Sequence, residues 1–218
     1  MTITNPSGAD NSDALAATWR ELVAAYTQSP RVDEVGRALL ASWGEPRRRY
    51  HNIAHLRDVL SHADELADHA VDLAAVKLAA WYHDAIYAGR TDDEENSARR
   101  AEAELAALRF PAELIAEVAR LVRLTATHDP MRGDRNGEAL SDADLAILAA
   151  PTDRYAAYAA AVRGEYAHLS DEVFGAGRAR ILQALLEQAA VYRTRYARER
   201  WEAKARRNLG AELRGYVW

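Results

Sequence analysis

Three segments of the chain carry histidine and aspartate in patterns that suit the binding of a divalent cation. The segment "RRRYHNIAHLRDVL" places His51 and His55 four residues apart, on one face of a predicted helix. The segment "AAWYHDAIYAG" sets His83 beside Asp84, and a later segment, "SDADLAIL", carries two more aspartates. Nitrogen and oxygen donors from three helices can converge on one ion and leave coordination positions for water and substrate. This donor set predicts a catalytic rather than a structural metal site.

The His83–Asp84 pair lies in a segment that is otherwise almost wholly apolar. Between Leu73 and Tyr87 the only other strongly polar side chain is that of Lys77, so we expect this helix to be surrounded by protein. Burial of a lone ionised carboxylate costs several kcal/mol unless a partner or a metal compensates its charge. A buried arginine or backbone groups could also satisfy the pair, so the pair by itself does not establish a metal site.

The hydrophobic periodicity predicts an all-α protein. The chain is rich in Ala, Leu, Glu and Arg, and it shows no convincing strand pattern with hairpin punctuation. Pro111 is typical of a first helical turn, and Ser141 and Ser170 resemble helix caps. The stretch "THDPMRGDRNGEALS", residues 127–141, is predicted to be the longest loop. We predict helices at about residues 13–28, 31–43, 52–69, 73–87, 92–108, 111–126, 142–149, 152–168, 176–190 and 194–214.

Length and composition limit the classes of protein and of metal ligand. A chain of 218 residues can form one large core. We expect a disordered tail at residues 1–12 and a single domain at residues 13–218, with the C-terminal helix docked on the core. The formal net charge of −5 gives no general attraction to nucleic acid or to an anionic membrane, and the absence of cysteine restricts metal ligands to His, Asp and Glu. The sequence lacks a secretory signal and a membrane span, so we expect a soluble cytoplasmic protein.

The order of the candidate ligands resembles a known signature. His55, then His83 with Asp84, then Asp144 resembles the signature of the HD superfamily of metal-dependent phosphohydrolases. The phrases "RYHNIAH", "HDAIY", "DDEENSA" and "RERWEAKARRNL" are together similar to a small bacterial subfamily of predicted HD phosphohydrolases. The resemblance implies an HD-domain helical bundle and an enzyme that hydrolyses a phosphate ester with a metal-activated water. By the same analogy, nucleotides are among the candidate substrates.

The resemblance also implies which residues hold the metal. The implied ligands are His55, His83, Asp84 and Asp144, with Asp84 well placed to orient a bound water. Asp142 lies two residues before Asp144 and points elsewhere on a helix start, so we interpret it as a cap or as a support for a ligand. Mixed His and Asp ligands suit Mn, Fe, Co, Ni, Zn or Mg and do not select sharply among them. The number of ions, one or two, stays open.

Four further residues are candidates for substrate binding or proton transfer. Glu94, within "DDEENSA", could transfer a proton during water attack, or it could belong to an ordinary acidic first helical turn. His51 could bind a second ion, contact a substrate phosphate or support the metal ligands, and we favour substrate contact or support. His128, within "LTATHDP", could be protonated and stabilise phosphate charge, or bind a second ion, although solvated histidines are common at helix ends. Arg49, like His51 and His128, is a candidate to assist departure of the leaving group.

Two other functions compete with hydrolysis. The first is a sensor that binds metal or a nucleotide without turning over a substrate. The second is nucleic-acid binding by the C-terminal segment, which mixes arginines with aromatic residues. Trp201, Ala205 and Leu209 recur there at helical spacing, and several glutamates dilute the positive charge, so we favour a helix docked on the core. The expected partner is therefore a small phosphate ester or nucleotide, with no membrane, while a homo-oligomer stays open.

Overall fold

The computed structural model describes residues 7–216, and the side chains of residues 12–216. Residues 7–216 form eleven α-helices, one short 3₁₀ helix at Leu145–Ala149 and no strand, which confirms the predicted all-α class. None of the helices in this part of the chain is both long and apolar enough to cross a membrane. The α-helices are α1 (Ser7–Val23), α2 (Val32–Trp43), α3 (Ile53–Glu65), α4 (Leu73–Tyr82), α5 (Asp93–Ala107), α6 (Ala112–Leu124), α7 (Arg135–Asp144), α8 (Thr152–Glu165), α9 (Asp171–Glu187), α10 (Arg195–Arg200) and α11 (Glu202–Arg214).

Helix α4 lies at the centre of the main core. It begins at Asp72, whose side chain accepts a hydrogen bond from the Ala75 N–H at 2.9 Å and so satisfies a free donor of the first turn. Helices α3, α6 and α7 all pack against it. Seven of its ten residues are buried, as its apolar composition predicts.

Helix α4 ends at Tyr82, five residues before its predicted end. Two of the backbone groups that follow are bound by side chains instead of by the next helical turn. Arg48 Nη1 donates to the Asp84 carbonyl oxygen at 2.7 Å, and the Ile86 N–H donates to Ser97 Oγ at 3.0 Å. Because these partners replace helical hydrogen bonds, the chain turns away directly after the His-Asp pair.

The prediction that residues 127–141 form one long loop is wrong, because residues 135–141 belong to α7. The helix is capped by Asp134, whose side chain accepts a hydrogen bond from the Gly137 N–H at 3.0 Å. Ser141, the predicted cap, lies inside the helix. Gly137 permits a close approach, since a Cβ at that position would lie 2.6 Å from Leu124 Cδ2. The N-terminal part of α7 therefore has residue types that are also common in loops, because its cap and its close contact require Asp and Gly.

The two ends of the domain differ in how they match the predictions. Helix α1 begins at Ser7, six residues before the predicted start, and residues 1–6 of the predicted tail lie outside the described residues. Ser170 caps α9 as predicted, accepting a hydrogen bond from the Val173 N–H at 3.3 Å. Helix α11 packs on α9 and on the 3₁₀ helix, where Asn208 Nδ2 donates to the Leu148 carbonyl oxygen at 2.9 Å.

Candidate metal centre

The structure brings the four predicted metal ligands together. His55 Nε2 lies 3.0 Å from Asp144 Oδ1, and His83 Nε2 lies 3.5 Å from the same oxygen. These three residues each offer one donor atom within 4.8 Å of the others, so they could hold a metal ion. Asp84 Oδ2 borders this group, 3.3 Å from His83 Nε2 and 4.0 Å from His55 Nε2. That Asp84 is a fourth ligand stays a prediction.

Three mutually packed helices position the group. His55 lies in α3, His83 follows α4 and Asp144 ends α7, and each of these helices contacts the other two. Trp43, fully buried at the end of α2, forms a wall behind both imidazoles, with ring centroids 6.1 Å from His55 and 5.3 Å from His83. Its indole Nε1 donates to the Trp81 carbonyl oxygen at 3.0 Å. Trp43 and the three helices thus hold each imidazole ring in a fixed orientation.

The hydrogen bonds of the imidazoles leave two nitrogen atoms for a ligand. His83 Nδ1 donates to the Ala80 carbonyl oxygen at 2.9 Å, so in the neutral ring the lone pair lies on Nε2. The Nε2 atoms of His55 and His83 are both buried and have no partner in hydrogen-bonding geometry. Buried polar atoms without such a partner are rare. Because a metal ion would satisfy both atoms, the donor set fits a divalent cation.

The charges of the cluster favour the same conclusion. Burial raises the pKa of the Asp84 and Asp144 carboxyls, but the adjacent imidazoles lower both pKa values by more, so both groups are ionised at neutral pH. Conversely, burial lowers the pKa of His83, but the two carboxylates raise it by more. The cluster therefore attracts positive charge, which either protons or a divalent cation can supply.

The two aspartates of "SDADLAIL" have separate contacts. Asp142 is fully buried and accepts hydrogen bonds from the backbone N–H groups of Arg193 at 2.8 Å and Thr194 at 2.7 Å. Burial raises its pKa to about 6, although these hydrogen bonds act in the opposite direction. Thr194 in turn caps α10. Asp144 thus belongs to the group that could hold a metal ion, while Asp142 holds the start of α10.

His51 lies beside the group and pairs with a carboxylate. Its Nδ1 lies 2.7 Å from Glu165 Oε2, and its ring stacks on Tyr87 with centroids 4.3 Å apart. The His51 and His55 rings are 5.6 Å apart. Burial lowers the pKa of His51, but the hydrogen bond to Glu165 and the charge of Asp84 raise it by more. His51 can therefore hold a proton next to the cluster.

Glu165 is a site residue that sequence reasoning missed. Its Oε1 accepts hydrogen bonds from the backbone N–H groups of Arg49, Tyr50 and His51 at 2.7, 2.8 and 3.1 Å. Burial raises the pKa of the carboxyl, but His51 and these backbone donors lower it to about 2. The partners lie 114 to 116 residues earlier in the chain, so no local pattern around Glu165 indicates this role.

Replacement of Glu165 with Gln is expected to lower the free energy of unfolding at pH 7 by about 2 kcal/mol, because hydrogen bonds to a buried charge are lost. The carboxyl titrates at 4.5 when unperturbed and at about 2 in the folded protein, so its contribution is complete above pH 4.5 and is lost as the pH falls towards 2. Urea unfolding at pH 7 and pH 3 measures the effect. A wild-type advantage that does not shrink at pH 3 would contradict this assignment.

Arg48 is a second residue that the sequence did not single out. Its side chain is fully buried, and Nη1 donates to the carbonyl oxygens of Asp84 at 2.7 Å and His51 at 3.1 Å. The guanidinium lies over the rings of Trp43 and Tyr87, 5.5 and 5.4 Å from their centroids. Arg48 thus links the segment that carries His51 to the segment that carries Asp84.

Two other predicted site residues lie at the edge of the cluster. His128 Nε2 lies 3.4 Å from Asp144 Oδ2, and burial lowers the pKa of this imidazole by more than Asp144 raises it. A neutral His128 does not fit the predicted role of a protonated stabiliser of phosphate charge. Glu94 lies in the first turn of α5, where burial and then the charges of Asp84 and Asp93 raise its pKa. Glu94 is thus suited to exchange a proton.

Two cavities open the group to the outside on a face that carries cations. A cavity of about 180 Å³ is lined by His55 and Asp144 together with Arg154 and Lys204. A cavity of about 400 Å³ is lined by His55, Arg154 and the predicted substrate contact Arg49. Since both cavities reach His55, an anion drawn to this face would arrive beside the candidate ligands.

No protein-family model, curated protein or solved structure matches this chain. Membership of the HD superfamily therefore stays a prediction. What supports a function is the chemistry of the buried group formed by His55, His83 and Asp144.

Proposed function

We propose that this protein is a metal-dependent phosphohydrolase with an HD-type helical domain and an HD-type site. The observation that carries the proposal is the pair of buried imidazole Nε2 atoms, in His55 and His83, that have no hydrogen-bond partner beside two ionised carboxylates. A divalent ion bound there would polarise a phosphoryl oxygen and lower the pKa of a water molecule.

Different residues of the cluster would hold the ion and orient the attacking water. His55, His83 and Asp144 would hold the ion, since their donor atoms lie closest together. Asp84 is 14% exposed and borders the group, so its carboxylate can accept a hydrogen bond from the attacking water and orient it. Arg49 and Lys204 line the cavities around His55 and would attract the substrate anion, while Arg154 is already paired with Asp58.

His51 is the proton donor that fits the departure of the leaving group best. The imidazole is held by Glu165 at 2.7 Å, and this hydrogen bond raises the pKa of His51 and so favours the protonated ring beside the cluster. A protonated imidazole can give its proton to the oxygen of the departing alcohol. Glu165 acts through His51 and is therefore a positioning residue. His128 has a lowered pKa, so it is the weaker candidate for the same task.

Metal analysis together with turnover tests the proposal. Elemental analysis of protein loaded with Mn, Fe, Co, Ni, Zn or Mg should find about one ion per chain. A panel of phosphate monoesters and nucleotides should then show hydrolysis that a chelator stops and added metal restores. Stoichiometric metal binding without hydrolysis of any ester would contradict the hydrolase and support the sensor. Binding of no metal would contradict both functions.

Glu94 is expected to assist proton transfer without holding the ion. Its replacement with Gln should lower turnover by about 10²-fold, at the low end of the usual scale for acid–base help, because Glu94 lies outside the group of donor atoms. Metal content should remain at the wild-type level. Replacement of Glu95, whose carboxylate pairs with Arg99 and Arg123 on the other side of the same turn, is the matched control. Equal turnover in both variants would show that Glu94 does not transfer a proton and is only part of the acidic first turn of α5.

A further inference from the structure

A groove between α8 and α9 opens beside His51. Helix α8 packs on the 3₁₀ helix and α9 packs on α11, which leaves a cavity of about 280 Å³ between α8 and α9. Two stripes of residues spaced four apart line it, a spacing that places each stripe on one helical face. The stripes are Tyr158, Val162 and Tyr166 along α8 and its end, and Val173, Gly177 and Ile181 along α9. His51 lines the same cavity and is its link to the candidate metal centre.

The groove presents apolar surface that the described side chains, those of residues 12–216, leave exposed. Val173 and Ile181 are 57% and 55% exposed, and they are two of the four large hydrophobic side chains that are exposed among residues 12–216. The one charged side chain of α9 in the groove, Arg178, is already paired with Glu212 at 2.8 Å, and it lies over the Tyr158 ring. A concave site with apolar walls and satisfied charges suits an apolar ligand.

We propose that this groove binds the leaving group of the substrate, and that this group is aromatic. The inference rests on the proposed function: His51 lines this groove and its ring lies 5.6 Å from that of His55, so a leaving group that departs on the His51 side of the ion lies in the groove. The rings of Tyr158, Tyr166 and Phe174 offer faces and edges on which a flat aromatic group can pack. An apolar protein cavity of ~150 Å³ is large enough to bind benzene, so this cavity accommodates a group of one or two fused rings.

The chain offers a substitution that fills the groove without disturbing the fold. Gly177 lines the groove, and a Cβ at that position would meet no atom within 4 Å. Gly177→Leu should therefore occupy the groove, while removal of a glycine from a helix favours folding. Gly210→Leu in α11 is the matched control, since a Cβ there would meet only Arg214 Nη1, at 3.7 Å, and Gly210 does not line the groove.

Kinetics with two phosphate esters test whether the groove binds the leaving group during the reaction. For the metal-loaded protein, Gly177→Leu is expected to raise the KM for 1-naphthyl phosphate by about tenfold or more, the effect of a misfit in an apolar pocket. The KM for methyl phosphate should not change, because this ester has no group that reaches the groove. Gly210→Leu should change neither value. An equal change for both esters, or no change for 1-naphthyl phosphate, would overturn the proposal.

Binding of 1-naphthol to the metal-free protein, followed by fluorescence, needs no turnover and separates the two proposals. Wild type and Gly210→Leu should bind 1-naphthol, and Gly177→Leu should bind it about tenfold more weakly. This result without hydrolysis of any ester would leave the aromatic site in place and reject the hydrolase. Unchanged 1-naphthol binding in Gly177→Leu would overturn the aromatic site. If sedimentation then showed that Gly177→Leu alters the oligomeric state, the groove would be an interface with a second copy.

Discussion

Replacement of Asp144 with Asn is expected to abolish the stabilisation that a divalent ion gives the wild-type protein. An ion that binds only the folded state stabilises it by about 2.7 kcal/mol at a free concentration one hundred times its dissociation constant. Asp144 Oδ1 lies 3.0 Å from His55 Nε2 and 3.5 Å from His83 Nε2, so the variant loses the charged member of the group that could hold the ion. Thermal and urea unfolding with and without metal measure the increment, and hydrolysis should fall to background.

Asp142→Asn is the matched control for this experiment. Asp142 binds the backbone of residues 193 and 194 and not the group, so its replacement should change the free energy of unfolding equally with and without metal. Metal binding should also weaken as the pH falls through the pKa of His83, which the two carboxylates raise well above that of a free imidazole, because protons then compete for Nε2. Equal metal increments in wild type, Asp142→Asn and Asp144→Asn would rule out a metal site at this cluster.

Replacement of His51 with Gln is expected to lower turnover of methyl phosphate by about 10³-fold, within the range typical of a lost general acid. The loss should be much smaller for 4-nitrophenyl phosphate, because the nitrophenolate departs without a proton. Metal content should stay at the wild-type level, since the His51 ring lies outside the group that can hold the ion. Initial rates with both esters and elemental analysis measure these effects. The same fractional loss for both esters would show that His51 does not donate the proton.

Glu165→Gln provides the control for the origin of the acidity of His51. The hydrogen bond to Glu165 raises the pKa of His51, and a general acid loses activity when the pH rises through its pKa. Removal of the carboxylate charge should therefore shift the alkaline limb of the kcat profile to lower pH. Turnover at lower pH should recover most of its wild-type value. If kcat of Glu165→Gln falls equally at every pH, Glu165 contributes to the stability of the fold and does not set the acidity of His51.

The sequence by itself determined the class of the fold and the types of donor atom. Apolar residues at helical spacing specify which face of each helix is buried, so the all-α class follows from local patterns alone. The absence of cysteine restricted the donors to His, Asp and Glu, while the choice of His55, His83, Asp84 and Asp144 was implied by the resemblance to the HD signature. Helix α7 was missed because Asp134 and Gly137 serve as cap and close contact, and both types are also common in loops.

Only the tertiary structure decided which polar groups meet. Asp142 and Asp144 are alike in local sequence, and the packing of α7 against α3 and α4 turns Asp144 towards the two imidazoles. The pairing of His51 with Glu165 joins residues that are 114 positions apart. Helical periodicity specifies which face of a helix is buried but not the partner that this face will meet. Contacts between distant residues depend on how all the helices pack together, and for that reason Glu165 became visible only in the folded protein.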